Sequence, residues 1–227
     1  MPQFTGLKFG FGHPNAGGGG EPGAINATGG TKTTFGDYTV HAFTSSGSFV
    51  VASGSGNIDY LVVAGGGGGG ARGAGGGGGG LRATVDQTGG GGSLESAVPV
   101  IAGSYTITVG AGGEGAPSSD GVNNGADQGG NSSLQYNGGT ITSTGGGGGM
   151  SDSSPPTNTP GGSGGGGANN KPEGAGTSDQ GYRGGRAYTD AAGGGGGAGG
   201  VGQDGNSSGS GNPAGDGGIG VQVLIAG

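Results

Sequence analysis

The chain has no cysteine, no tryptophan, two histidines and only 7 lysines and arginines among its 227 residues. Without cysteine there is no disulfide staple and no thiolate chemistry, and the redox compartment stays open. Two histidines with no thiolate beside them do not make up the ligand set of a structural zinc site. The few cations are scattered, and a net charge of -7 with a pI near 4.4 leaves no basic stripe to follow phosphates. Nucleic acid is excluded as a partner on that ground. Charged residues make up 9%, aromatics 5% and hydrophobic residues 27% of the chain, less than an ordinary core of this length uses. No apolar run approaches the ~18 residues of a spanning helix, so insertion of that kind into a membrane is not expected. The first residues, Met1 to Lys8, show no charged region followed by an apolar stretch, so a Sec signal peptide is not expected either. No window of twelve residues is free of glycine, which excludes an α-helical protein.

What is present instead is glycine: 74 residues, close to one in three. It comes in blocks at Gly65–Gly70, Gly75–Gly80, Gly145–Gly149 and Gly193–Gly197, with runs of four from Gly17, Gly89 and Gly164. Collagen needs glycine at every third position and abundant proline, and this chain has blocks and only 10 prolines. Soluble disordered chains are rich in charge, and this one is not. Order is therefore expected. Glycine loses the most entropy on ordering, so a run of six forms neither a stable helix nor an isolated strand. It can adopt polyproline-II geometry, three residues per turn with no internal hydrogen bonds. Its N–H and C=O groups then point outward and must find neighbours. Without Cβ atoms, such helices can lie side by side and bond to one another. Ordering costs roughly 0.5–1 kcal/mol per glycine relative to alanine, and a lateral bond returns roughly 0.5–1.5 kcal/mol. A bundle alone is marginal and needs an anchor. Gly65, Gly67, Gly75, Gly78, Gly147 and Gly195 are the expected lattice positions.

The anchor is a set of β-strand signals. Tyr38–Phe43 and Ser48–Val51 flank Thr-Ser-Ser-Gly and read as a hairpin. Tyr60–Ala64, Leu81–Val85, Val98–Ile101 and Tyr105–Val109 follow, and Leu134–Tyr136 with Thr140–Thr142 around Asn-Gly-Gly predict a second hairpin. Ile219–Ile225 is rich in β-branched residues and predicts a closing strand that meets the first ones in one sheet. The expectation is an all-β chain with antiparallel sheets plus polyglycine-II helices and no α-helix. A six-glycine run is about 19 Å long in polyproline-II geometry, comparable to a strand of five or six residues.

The order of blocks carries a resemblance. It runs Tyr-Leu-Val-Val-Ala and six glycines at 60–70, six glycines and Leu-Arg-Ala-Thr at 75–84, and Tyr-Thr-Ile-Thr-Val-Gly-Ala-Gly-Gly at 105–113. Gly-Gly-Asn-Ser-Ser at 129–133, five glycines and Met150, Gly-Gly-Arg at 184–186 and five glycines with Ala-Gly-Gly at 193–200 complete it. This layout resembles the glycine-rich domain of bacteriophage tail-fibre and other virion structural proteins. It is also similar to the glycine-rich extracellular domain of the anaplastic lymphoma kinase and leukocyte tyrosine kinase receptors. That resemblance implies a TNF-like or jelly-roll-like antiparallel β-sandwich interleaved with packed polyglycine helices. The receptor domains carry cysteines and this chain has none, which favours the phage side. Residues 1–30 are expected to form an N-terminal attachment arm and 31–227 a single domain.

Chemical motifs are few. Matches to G-x-G-x-x-G abound in any chain this rich in glycine, and none follows a strand and opens a helix. Gly199–Ser207 fits part of a calcium-binding nonapeptide, but it occurs once and a calcium roll needs tandem copies. His41 alternates with Val40 and Ala42 and reads as a sheet-face residue. Neither a catalytic residue, a cofactor site nor a metal site is expected. The long polar segments between glycine blocks are the candidates for recognition, because ordered loops on a rigid scaffold are where binding usually sits. They hold Asn169, Asn170, Tyr182, Arg183, Arg186 and Tyr188, and Tyr and Arg are favoured binding anchors. In the arm, Phe4, Leu7, Phe9 and Phe11 recur at roughly a strand's period. They either dock onto a partner or fold back on the chain's own sheet.

The resemblance and these residues together imply a non-enzymatic virion protein at the particle surface, a tail-fibre or receptor-binding component. Other virion proteins would bind the arm, and a host cell-surface glycan or protein would be the external partner. A homo-oligomer or a large assembly is expected. A capsid decoration protein or head fibre is the alternative, and a subunit of an extracellular filament is another. Ice binding is disfavoured, because the antifreeze family with polyglycine bundles has tripeptide spacing and cysteines.

Overall fold

The computed structural model describes residues 7–10, 24–117, 126–151, 160–189, 191–206 and 213–225. Among them are eleven β-strands and no α-helix. In chain order they are β1 (Leu7–Gly10), β2 (Asn26–Thr28), β3 (Thr31–Phe35), β4 (Tyr38–Phe43), β5 (Gly47–Ser53) and β6 (Gly56–Val63). β7 (Leu81–Ala83), β8 (Val98–Val100), β9 (Gly103–Thr108), β10 (Ser132–Tyr136) and β11 (Gly139–Ser143) complete the set. Two antiparallel sheets result. One runs β3-β4-β1-β6-β7, with β8 paired to the first residues of β6, and the other runs β11-β10-β9-β5-β2.

Alternation with a period of two sorts side chains onto the faces of these strands. Phe49 and Val51 point inward from β5, Tyr105 and Ile107 from β9, and Leu134 and Ile141 from β10 and β11. Phe43, Ile58, Tyr60, Val62 and Val98 meet them from the other sheet in one apolar cluster. Each such side chain, fully buried, contributes roughly 1.5–3 kcal/mol. His41 is buried on this framework as well. Its Nδ1–H donates to the Gly29 carbonyl at 2.7 Å and its ring stands edge-on to Phe49, centroids 5.1 Å apart. Burial lowers its pKa, the Gly29 carbonyl partly offsets that, and Lys32 lowers it further. Gly29 sits at φ +110°, and a Cβ there would strike the Ser48 carbonyl.

Most predicted strands match the observed ones, and the second hairpin forms as β10–β11 with Leu134 opposite Ile141. The first hairpin does not. β4 pairs with β1 and β3, whereas β5 pairs with β2 and β9 in the other sheet. Both strands carry inward apolar residues, and the two sets bury each other face to face rather than side by side. The closing strand is also absent: Ile219–Ile225 has no strand pairing. The Gly199 N–H bonds to the Ile219 carbonyl at 2.9 Å, which draws the start of this segment onto the glycine runs. The place between β4 and β6 is taken by Leu7–Gly10, with Phe9 opposite His41 and Tyr60. That strand uses both of its backbone edges inside the domain, and Asn26–Thr28 pairs with β5. Phe4 and Phe11 lie outside the described residues.

The glycine runs are not a separate body attached to the sheets. They continue the strands in register. In the β6–β7 pair Val63 faces Leu81, and beyond it Ala64 bonds to Gly80, Gly67 to Gly77 and Gly70 to Ala74, at 2.8–3.0 Å. No residue is gained or lost at the change. β10–β11 does the same, from Ser132 opposite Ser143 to Gly129 bonding Gly146 and Ala126 bonding Gly149. β9–β10 continues into Gly130 bonding Ala111 and Asp127 bonding Glu114. Only the period changes. Along Gly65–Gly70, N–H groups 65 and 68 go to one neighbour, 67 and 70 to another, and carbonyls 66 and 69 accept from a third. The same partner thus recurs every third residue, where a pleated strand alternates every second.

Close approach explains most of the glycine. A Cβ on Gly65 would meet the Ala111 carbonyl, on Gly67 the Gly147 carbonyl, on Gly195 the Gly76 carbonyl, and on Gly75 the Gly195 nitrogen at 2.5 Å. Gly147 accepts the Gly77 N–H at 2.7 Å and donates to the Ser163 carbonyl at 2.9 Å. Gly78 differs from the expected lattice position. It bonds within the network, yet the nearest atom to a Cβ there is 3.6 Å away. Its Cα faces outward, so its bonds do not require glycine.

Candidate functional site

The strands enter the glycine runs at one end, and the far end is a tip made of turns. Met150, Ala74, Ala168 and Ala192 form a small buried apolar cluster there. Ala168 leads directly into Asn169 and Asn170, both exposed and in the left-handed region at φ 46° and 60°. The Asn170 side-chain oxygen accepts the Thr189 N–H at 2.6 Å, which ties the turn carrying Tyr188 to the Asn pair. Tyr188 is exposed, and its backbone is fixed by reciprocal bonds with Ala191 at 3.0 and 2.8 Å. The structure thus brings Asn170 and the Tyr188 turn together. Arg186 is exposed, and its backbone N–H donates to Asp204 Oδ1 at 2.8 Å.

Tyr182 and Arg183 lie on the flank of the bundle, in a different grouping. The Tyr182 N–H bonds to the Gly197 carbonyl at 3.0 Å, and its own carbonyl accepts from Gly164 at 2.9 Å. Arg183 donates to Glu173 Oε1 at 3.2 Å and to the Gly184 carbonyl at 2.9 Å, with Asp204 Oδ1 at 3.8 Å. Tyr182, Arg183, Glu173, Ser178 and glycine backbone line an open groove of about 440 Å³. A second groove of about 410 Å³ adjoins it across the Thr177–Gln180 turn and shares Ser178. Its walls include Arg82, Glu95, Asp179 and Gln180.

None of the residues lining that second groove stood out as a site in the sequence. Arg82 holds Glu95 with two bonds of 2.6 Å, from Nε and Nη2, and its Nη1 donates to the Thr142 carbonyl at 3.1 Å. The Tyr60 hydroxyl donates to Glu95 Oε2 at 2.6 Å. Burial first, then the Glu95 carboxylate, push the Tyr60 pKa well up; the Glu95 hydrogen bond raises that of Arg82. A bidentate pair of this kind is geometrically specific, and here it ties β6, β7 and β11 to the 93–97 loop. Gln180 marks the change of period: its Oε1 accepts the Thr144 N–H at 2.8 Å and its carbonyl accepts the Leu81 N–H at 3.0 Å. No local pattern announces these partners, because even the nearest pair, Arg82 and Glu95, is 13 residues apart and Arg82 and Thr142 are 60 apart.

Among the described residues no three His, Asp or Glu side chains are placed to hold a metal ion, and no helix is long and apolar enough to cross a membrane. Asp204, the acidic residue of the partial nonapeptide, accepts from the Arg186 backbone instead. The Asn131 side-chain oxygen accepts the Gly145 N–H at 2.8 Å.

Antiparallel strands that run in register into glycine blocks define a glycine-rich β protein. The chain belongs to the glycine-rich domain family, whose model matches residues 43–227. No curated protein and no solved structure matches it.

Proposed function

We propose that this chain is a non-enzymatic structural protein of a bacteriophage virion, displayed at the particle surface as a tail-fibre or receptor-binding component. In this reading the glycine runs are a polyglycine-II-type bundle interleaved with a TNF-like β-sandwich, as the resemblance implies. The observation that carries it is the tip. Turns bearing Asn169, Asn170 and Tyr188 are held by backbone bonds on a continuous lattice, so polar and aromatic groups are presented in fixed positions far from the sheets. Pre-ordered loops avoid much of the entropy cost of binding. The external partner is a host cell-surface glycan or protein, and the other partners are neighbouring virion proteins or copies of the chain. Attachment through residues 1–30 belongs to the same proposal, though Leu7–Gly10 offers no free strand edge for it.

Cryo-electron microscopy of the particle, with an antibody raised against the domain, tests the reading. Density at the tail extremity is the expected result. Density at icosahedral positions on the head replaces it with capsid decoration, and absence from purified particles overturns it. Spontaneous fibres of the purified chain would point to the filament alternative.

A further inference from the structure

We propose that the two adjoining grooves on the flank of the bundle form one binding site for an uncharged saccharide, with Tyr182 as its aromatic platform. This rests on the recognition reading above and adds to the tip a second site on the same scaffold, with its ligand class. The combined site falls within the ~300–1,000 Å³ range of small-ligand pockets. Both grooves are open, the first lined in part by glycine and the second by polar side chains, so no deep apolar cavity is available for a lipid tail or an aromatic cofactor. An anionic ligand is disfavoured as well. Both arginines are already neutralised, Arg82 by Glu95 and Arg183 by Glu173 with Asp204 nearby, and the chain carries a net charge of -7.

What remains is the chemistry a sugar ring needs. One face of a pyranose is a patch of C–H groups that rests on an aromatic ring, which has an apolar body and a polar tip. Its hydroxyls are both donors and acceptors, and they are met by planar groups that offer several contacts in one plane. The guanidinium of Arg183 has donors left beyond those it spends on Glu173 and Gly184. The Glu173 and Asp179 carboxylates accept, and the Ser178 hydroxyl does either. The platform is rigid, because the Tyr182 backbone is bonded on both sides into the lattice. Ser178, exposed on the turn between the grooves, lies where a second sugar unit would cross from one to the other.

The test uses the full chain on an array of bacterial oligosaccharides: uncharged hexoses and N-acetylhexosamines, with sialylated and phosphorylated counterparts. Titration calorimetry then measures the strongest binder. Binding to uncharged members is expected, with Tyr182→Ala raising Kd at least tenfold, Tyr182→Phe staying within threefold, and Ser178→Trp blocking both grooves. Tyr188→Ala, at the tip, should leave this binding unchanged. All four variants should melt like the parent, since each changes a side chain outside the apolar core and the Tyr182 lattice bonds are made by its backbone. Binding only to acidic members, no binding at all, or full affinity in folded Tyr182→Ala would each overturn the inference. Adsorption of the labelled chain to host cells separates the two claims. Protease-sensitive adsorption without saccharide binding sinks the groove but keeps recognition. Neither adsorption nor saccharide binding sinks both.

Discussion

The strand half and the glycine half of this molecule share one register and differ in what fills the space between backbones. Between the sheets, side chains such as Phe49, Tyr105 and Leu134 interdigitate and the backbones stay well apart. In the bundle, backbones bond to several neighbours at once and no room is left for a Cβ at Gly67, Gly147's contact partner. The change occurs within one residue, at Val63–Ala64 on one side and Gly80–Leu81 on the other. Stability in one half is therefore graded with side-chain volume. In the other it is close to all-or-none.

The largest expected effect tests that contrast directly. Gly67→Val and Gly195→Val should not fold, or should lose more than about 4 kcal/mol, because a side chain must displace backbone that is itself hydrogen-bonded. Soluble expression with an unchanged melting temperature for both would break the packed-bundle description. Phe49→Ala, in the sheet half, should fold but lose about 3–5 kcal/mol by leaving a cavity; chemical denaturation measures it. A loss under 1 kcal/mol would mean that the apolar cluster is not the anchor.

A pH effect should belong to the strand half alone. His41 is buried and its pKa is lowered, so the unfolded chain binds its proton more readily than the folded one. The stability contributed by neutral His41 is fully present above the unfolded value of about 6.5 and is lost as pH falls below it. Melting temperature should drop between pH 7.5 and 5.5, and His41→Gln should flatten that slope. Identical slopes for the two proteins would assign the effect elsewhere. The smallest effect sharpens the comparison inside one glycine run. Gly78→Ala should keep the fold and change stability by less than about 1 kcal/mol, with stabilisation the expected sign because the unfolded chain loses freedom. Two residues earlier, Gly76 meets the Gly67 carbonyl, and alanine there should be severely destabilising. Equal tolerance at both positions would contradict the lattice.

Much of this was legible in the sequence, for reasons that can be located. The β-branched and aromatic runs from Tyr38 to Thr142 declared their strands, because period and residue type are local properties. Partner choice is not local. Tyr38–Phe43 and Ser48–Val51 have the spacing of a hairpin, yet each has an apolar face that only the opposite sheet can bury. Ile219–Ile225 has strand chemistry, but Leu7–Gly10 holds the place beside β4 and β6. In the candidate site, Tyr182 and Arg183 stood out by residue type. Glu173, Ser178 and the Arg82–Glu95 pair joined them only through turns that no motif marks.

The sequence by itself determined that this is an all-β protein without disulfides and that glycine supplies much of its packing, and it marked the polar segments between blocks as the candidates for recognition. Composition and period suffice for that, since each follows from what a residue can and cannot do alone. Only the tertiary structure decided which glycine is irreplaceable, which strand stands in which sheet, and which polar side chains share a groove. Those are questions of what lies across the gap, and the atoms across the gap are many residues away in the chain.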